Sequence, residues 1–136
     1  MGQDSSLRAR FYGTWKLIGV DRMDPASGDK LGAGAVQTGF ICYTDESRVM
    51  VLICRQEPDG SEPVFTSYAG SWHIEGDAVI HTVEMATRKP WVGTRQVRHF
   101  TFEGNRLILT PPTSHDFNHN KITQRSLTWE KVSQAR

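Results

Sequence analysis

The sequence predicts an all-β fold, an eight-stranded antiparallel up-and-down barrel preceded by one short helix, in a single domain spanning residues 1–136. Three observations predict it. Helical periodicity is confined to one stretch near the start. The rest is a succession of short runs rich in β-branched and aromatic residues, punctuated by Gly, Pro, Asn and Asp. The links between runs are mostly short, which joins consecutive strands antiparallel and favours a closed meander. Eight strands enclose just enough space for packed side chains or one small ligand. A chain of 136 residues builds a core of its own without disulfide or metal staples.

Ser5 to Tyr12 reads as the helix, with Ser5 or Ser6 as N-cap and Leu7, Phe11 and Tyr12 on a shared side. Gly13 to Arg22 is the first strand, ended by the turn signals Asp24-Pro25 and Gly28-Asp29. Thr38 to Thr44 and Arg48 to Arg55 form a hairpin around Asp45-Glu46. Phe65 to Ile74 follows a Pro-Asp-Gly loop, and Ala78 to Ala86 follows the turn Glu75-Gly76-Asp77. Thr94 to Glu103 and Arg106 to Thr110 form a hairpin around Gly104-Asn105, and Ile122 to Val132 is the last strand. Two longer loops, Met23 to Val36 and Pro111 to Lys121, are placed to cover a barrel mouth.

Composition narrows the function. A net charge of +1 and a pI near 7.9 do not point to nucleic acid. No apolar run approaches the roughly 20 residues of a membrane span, and Met1 to Arg10 lacks the apolar stretch of a signal peptide, so a cytoplasmic protein is expected. Cys42 and Cys54 have no metal-ligand spacing and read as small, partly buried apolar residues.

Side chains alternate faces along a strand, so three runs can be read for what they present to the interior. Tyr68, Gly70 and Trp72 share a face, as do Val79, His81, Val83 and Met85, and as do Gln96, Arg98 and Phe100. If these faces line one cavity, it is apolar with a few polar groups, the composition of a small-molecule pocket. His81 has two readings, a general acid or base or a buried hydrogen-bonded histidine. Arg98 either meets a ligand oxygen or bridges to Glu84 or Glu103. Tyr43 and Tyr68 can donate to a ligand carbonyl or fill space. Trp91, in a loop between Pro90 and Gly93, has two readings, a cap on the cavity or a simple cover for the barrel end.

The hairpin around Asp45-Glu46 is apolar on both faces. Phe40, Cys42, Val49, Val51 and Ile53 compete with Ile41, Tyr43, Met50, Leu52 and Cys54 for the interior. A one-residue slip exchanges the two sets. The set left outside would form an apolar patch, which suggests a homodimer.

Nothing in the chain asks for a cofactor or a metal. Gly32-Ala33-Gly34 lacks phosphate-loop spacing and reads as a flexible loop. His115 and His119 stand four apart, but in a segment that follows Pro111-Pro112 and reads as a loop rather than a helix. His73-Ile74-Glu75 lacks the Pro-Cys-x-x-Cys partner of zinc deaminases. No nucleophile-elbow serine is present.

Gly13-Thr14-Trp15 opens the first strand as the Gly-x-Trp signature does in lipocalins. That resemblance implies that Arg125, four before Trp129 in the last strand, packs over Trp15, a cation–π contact of about 1–2 kcal/mol when desolvated. The ordered set Gly39-Phe40-Ile41-Cys42-Tyr43-Thr44, Tyr68-Ala69-Gly70, His81-Thr82-Val83-Glu84, Pro90 to Arg98 (Pro-x-x-Gly-x-x-Gln-x-Arg), Leu107-Ile108-Leu109 and Leu127-Thr128-Trp129-Glu130 resembles the lipocalin-like domain family of small, mostly microbial proteins. It covers nearly the whole chain from Gly13 and implies the barrel fold. Related barrels act as cyclases or isomerases, and some members sit beside secondary-metabolite enzymes. The resemblance carries no catalytic motif onto this chain.

The expected ligand is therefore small, hydrophobic and oxygenated. Three classes of function follow. The first is a cofactor-independent cyclase, isomerase or dehydratase of a natural-product intermediate, with His81 moving a proton, Arg98 stabilising an oxyanion and Tyr68 or Tyr43 orienting the substrate. The second is a carrier in which Tyr43, Tyr68, Trp72, Met85, Trp91, Gln96 and Phe100 only hold the ligand. The third is a filled barrel that works through its outer surface.

Overall fold

Helix α1 (Ser5–Phe11) leads into the strands β1 (Gly13–Met23), β2 (Val36–Tyr43), β3 (Arg48–Gln56), β4 (Val64–Glu75), β5 (Ala78–Ala86), β6 (Arg95–Glu103), β7 (Arg106–Thr110), β8 (Ser114–Asp116) and β9 (Lys121–Lys131). The computed structural model describes residues 5–30, 36–111, 114–116 and 121–132. Strands β1 to β7 pair with their sequence neighbours, β7 pairs with β9, and β9 pairs with β1, so eight antiparallel strands close a barrel. The short β8 falls within Pro111 to Lys121, where the sequence predicts a loop. It pairs with the first residues of β9, beyond the closed ring. Gly32-Ala33-Gly34 and His119 lie outside the described residues.

The interior has two halves. At the helix end, Phe11 is fully buried and meets the rings of Tyr43, Trp72, Phe100 and Phe102 at centroid distances of 5.0 to 5.4 Å. Most of these contacts are edge-on, the arrangement ring quadrupoles favour. The chain turns from α1 into β1 at Gly13, whose φ of 115° excludes most other residues. Trp15 Nε1 donates to the Phe11 carbonyl at 2.9 Å and fixes that turn. Arg8 holds the helix down from outside, donating to Ser47 Oγ at 2.6 Å and lying 4.7 Å from the Trp72 ring. This aromatic plug is a core. Trp72 and Phe100 belong to it, and they do not line the cavity above it as the alternation suggested.

Lys131, not Arg125, covers Trp15. Its ammonium sits 4.6 Å from the ring and also donates to the Tyr12 carbonyl. The β1–β9 register decides this, because it sets Trp15 opposite Lys131 and Arg22 opposite Arg125. Arg125 is thereby carried toward the far end of the barrel.

Between β2 and β3 the register is set by a three-residue loop. Thr44 N–H bonds to Arg48 O at 2.9 Å, and Ser47 takes φ 67°, the left-handed conformation that closes such loops. Tyr43 then faces Val49, and Ile41 faces Val51. The interior set is Ile41, Tyr43, Val49, Val51 and Ile53, and Phe40, Met50 and Leu52 are exposed. Each competing set joined inward residues of one strand to outward residues of the other, Phe40 and Cys42 with Val49, Val51 and Ile53, and Ile41 and Tyr43 with Met50, Leu52 and Cys54, because the odd loop length shifts the parity.

A β-bulge changes the parity of β5 as well. Gly70 pairs with Val83 and Ala69 with Met85, so Glu84 is the extra residue. A Cβ on Gly70 would stand 1.8 Å from the Thr82 carbonyl oxygen, which is why this position has no side chain. Beyond the bulge Met85 points outward and is 67 % exposed, so it does not line the cavity.

Candidate ligand-binding cavity

Above the plug the barrel keeps a cavity of about 270 Å³. Its apolar walls come from Val20, Ile41, Val51, Ile53, Leu109, Leu127 and Trp129, its polar groups from Gln37, Arg55, Thr66, Tyr68, His81, Arg88, Arg98 and Arg125. Pro111 and Trp91 complete the lining. Trp91 sits on a one-turn 3₁₀ helix (Lys89–Trp91), edge-on to Tyr68 at 5.9 Å, with the Arg88 guanidinium 5.1 Å from its ring. Trp91 thus lines the cavity from the segment between β5 and β6.

His81, 1 % exposed, is a buried polar side chain at the base of this cavity. Its two ring nitrogens are both engaged. The Tyr43 hydroxyl lies 2.7 Å from Nε2 and the Tyr68 hydroxyl 2.6 Å from Nδ1. The imidazole pKa is lowered to about 3, by burial first and by the Arg98 charge second, so the ring is neutral at physiological pH. A neutral imidazole offers one N–H and one lone pair.

Burial then assigns the direction of the chain. Tyr43 is 1 % exposed and meets His81 through its hydroxyl. Had Tyr43 accepted from Nε2–H, its own proton would be buried without an acceptor among the described residues, a cost of about 1–3 kcal/mol. Tyr43 therefore donates to Nε2, and Nδ1–H donates to the Tyr68 oxygen. The Tyr68 proton is left free for the cavity that Tyr68 lines. Both phenols stay protonated: burial raises the Tyr43 pKa well above its ordinary value and pushes that of Tyr68 up to about 12, with Arg98 opposing in both cases.

Arg98 is placed by β6, one rung from His81. Its guanidinium donates to Val97 O at 2.9 Å and to Gln96 Oε1 at 3.0 Å. Gln96 in turn donates to Thr94 Oγ1 at 2.9 Å, so it positions Arg98 and does not itself line the cavity. The bridge from Arg98 to Glu84 is not made. Glu84 lies on the outer surface and pairs with Arg48 at 2.9 Å. No carboxylate meets Arg98 among the described residues.

The structure thus brings together Tyr68, His81, Arg98 and Trp91 in one cavity, with Tyr43 behind His81. It separates Trp72, Phe100 and Met85 from it. Sequence reasoning missed Arg55, Arg88 and Arg125 as lining residues. For Arg125 the signal was present: Leu127 and Trp129 face inward, and period two continues to 125.

Among the described residues no cluster of His, Cys, Asp and Glu is arranged to hold a metal, and no helix is long and apolar enough to cross a membrane. No curated protein matches the sequence. The family model described as a lipocalin-like domain matches residues 62–132, just over half the chain, from the approach to β4 through the closing strand β9. Closed antiparallel barrel, interior cavity and family match agree, and the chain belongs to the lipocalin-like domain family, whose barrel supports small-molecule binding.

Proposed function

We propose that the cavity holds one small, largely apolar, oxygenated molecule, with an oxygen of that molecule against Tyr68 and Arg98. One observation carries this reading. The Tyr68 hydroxyl, held by His81 with Tyr43 behind it, faces an apolar cavity beside a guanidinium that has no carboxylate partner among the described residues. His81 orients Tyr68 in this arrangement. With a pKa near 3 it is a poor proton shuttle at pH 7, which departs from the role anticipated for it.

The same donors support a second reading, cofactor-independent isomerisation, cyclisation or dehydration. Tyr68 and Arg98 converge where negative charge develops when a carbonyl compound enolises, and fixed donors in a dry site stabilise such charge. The apolar walls would hold a flexible substrate folded. Free Cys42 and Cys54 suit a cytoplasmic setting for either activity.

Native mass spectrometry of the protein, before and after exposure to an extract of its source cells, tests both readings. One retained small molecule per chain is expected, reduced in occupancy at least tenfold in Tyr68→Phe and Arg98→Gln. A retained mass already present in the extract establishes carriage, and a new mass establishes catalysis. No bound mass under any condition overturns the proposal in favour of a barrel that acts through its outer surface.

A further inference from the structure

We infer that the ligand is an anion: an apolar body carrying a carboxylate or similar oxyanion, whose charge is seated among Arg98, Arg125 and Arg88. This deepens the binding reading above and rests on it. The cavity is lined by four arginines, Arg55, Arg88, Arg98 and Arg125, and by no Asp or Glu among the described residues. The chain as a whole has 16 basic and 15 acidic residues, so the excess is local.

Three surface arginines are matched. Arg48 pairs with Glu84, Arg95 with Glu75 and Arg106 with Glu130, all on the outer surface. At the cavity Arg55 has Glu57 at 2.8 Å, and Arg88, Arg98 and Arg125 have no carboxylate among the described residues. Arg125 is open at the mouth, yet its pKa is lowered by partial burial and then by Arg22, Arg55 and Arg98, a sign of mutual repulsion. A guanidinium does not relieve repulsion by losing its proton, so relief comes from an anion, and its planar fork matches an oxyanion in two bonds.

The neutral groups agree in polarity. The free proton of Tyr68 is a donor. Trp129 also lines the cavity, and its Nε1–H is buried with no acceptor among the described residues. A site that sets donors and positive charge among apolar walls such as Val51 and Leu109 fits an amphipathic anion.

Two fluorescent probes that share a ring system isolate the charge: 1-anilinonaphthalene-8-sulfonate and neutral N-phenyl-1-naphthylamine. Titrated into the full chain, the sulfonate is expected to bind once per chain and at least tenfold more tightly, with the advantage shrinking in high salt. In the Arg98→Gln/Arg125→Gln double variant the two affinities converge to within threefold. Arg88→Gln, at the exposed rim, gives the same trend more weakly should the double variant fail to fold. Equal affinities in the unmodified protein, or a full sulfonate advantage in the variants, overturn the anion inference and leave the cavity reading intact. Failure of both probes to bind overturns the cavity reading and this inference with it.

Discussion

Replacing His81 by Gln should flatten the acid side of the stability profile. In the folded barrel the His81 pKa is lowered to about 3, against 6.5 for the free side chain. Between those values the unfolded chain takes up a proton that the native state refuses, so stability falls as the pH drops below 6.5 and is unaffected above it. Each pH unit in that window costs about 1.4 kcal/mol, so the group removes about 3 kcal/mol between pH 7 and pH 4. Glutamine cannot take up that proton, and its amide still offers one donor and one acceptor to the two tyrosines. At pH 7 the variant should be about 1–3 kcal/mol less stable, because the amide fits the hydroxyl geometry less well. Toward pH 4 the two stabilities should converge. Urea unfolding followed by tryptophan fluorescence from pH 4 to 7 reads this directly, and titrations common to both proteins cancel in the difference. Parallel curves with a constant offset would refute the buried, neutral histidine and the donor chain built on it.

Other substitutions probe the surrounding architecture. Phe11→Ala removes the centre of the aromatic plug and should cost about 3–5 kcal/mol in urea unfolding, with α1 released from the barrel end. Gly70→Ala drives a methyl into the Thr82 carbonyl and should cost about 3 kcal/mol, where the same change at Gly19, which has open space, stays within about 1 kcal/mol. Lys131→Met keeps the stem but loses the ammonium over Trp15, a loss of about 1–2 kcal/mol that weakens with added salt less than a surface pair would. Thr66→Trp fills the cavity mouth, so N-phenyl-1-naphthylamine binding should vanish while thermal unfolding shifts by only a few degrees.

The strands were legible because they are short runs rich in β-branched and aromatic residues, punctuated by Gly, Pro, Asn and Asp. Ala78 to Ala86 and Arg106 to Thr110 match their observed bounds, and Gly13 to Arg22 falls one residue short. Facing was less legible, and the failures share a cause. At Ser47 an odd loop in a left-handed conformation sets the β2–β3 parity, and at Glu84 a bulge reverses it within β5. Neither Ser nor Glu announces such a backbone event. His81 and Tyr68 were found because both precede the bulge or lie opposite it. Met85 was misplaced because it follows. Arg125 failed differently: its partner depends on the β1–β9 register, a contact between chain ends that local pattern does not encode.

That seam has a kinetic consequence. Every other strand pair of the ring joins segments close in sequence, so hairpins can form early at small loop-closure cost. The β1–β9 seam joins Trp15 to Lys131 across almost the whole sequence, and it is the contact of highest sequence separation in the ring. Lys131 and Phe11 meet the barrel at this same end, so the latch of Lys131 on Tyr12 and Trp15 cannot close before the seam does. Until then β1 and β9 are open edges of an eight-stranded sheet, able to pair with the edges of another chain. The slow step of folding and the route to strand exchange between molecules are thus the same unmade row of hydrogen bonds.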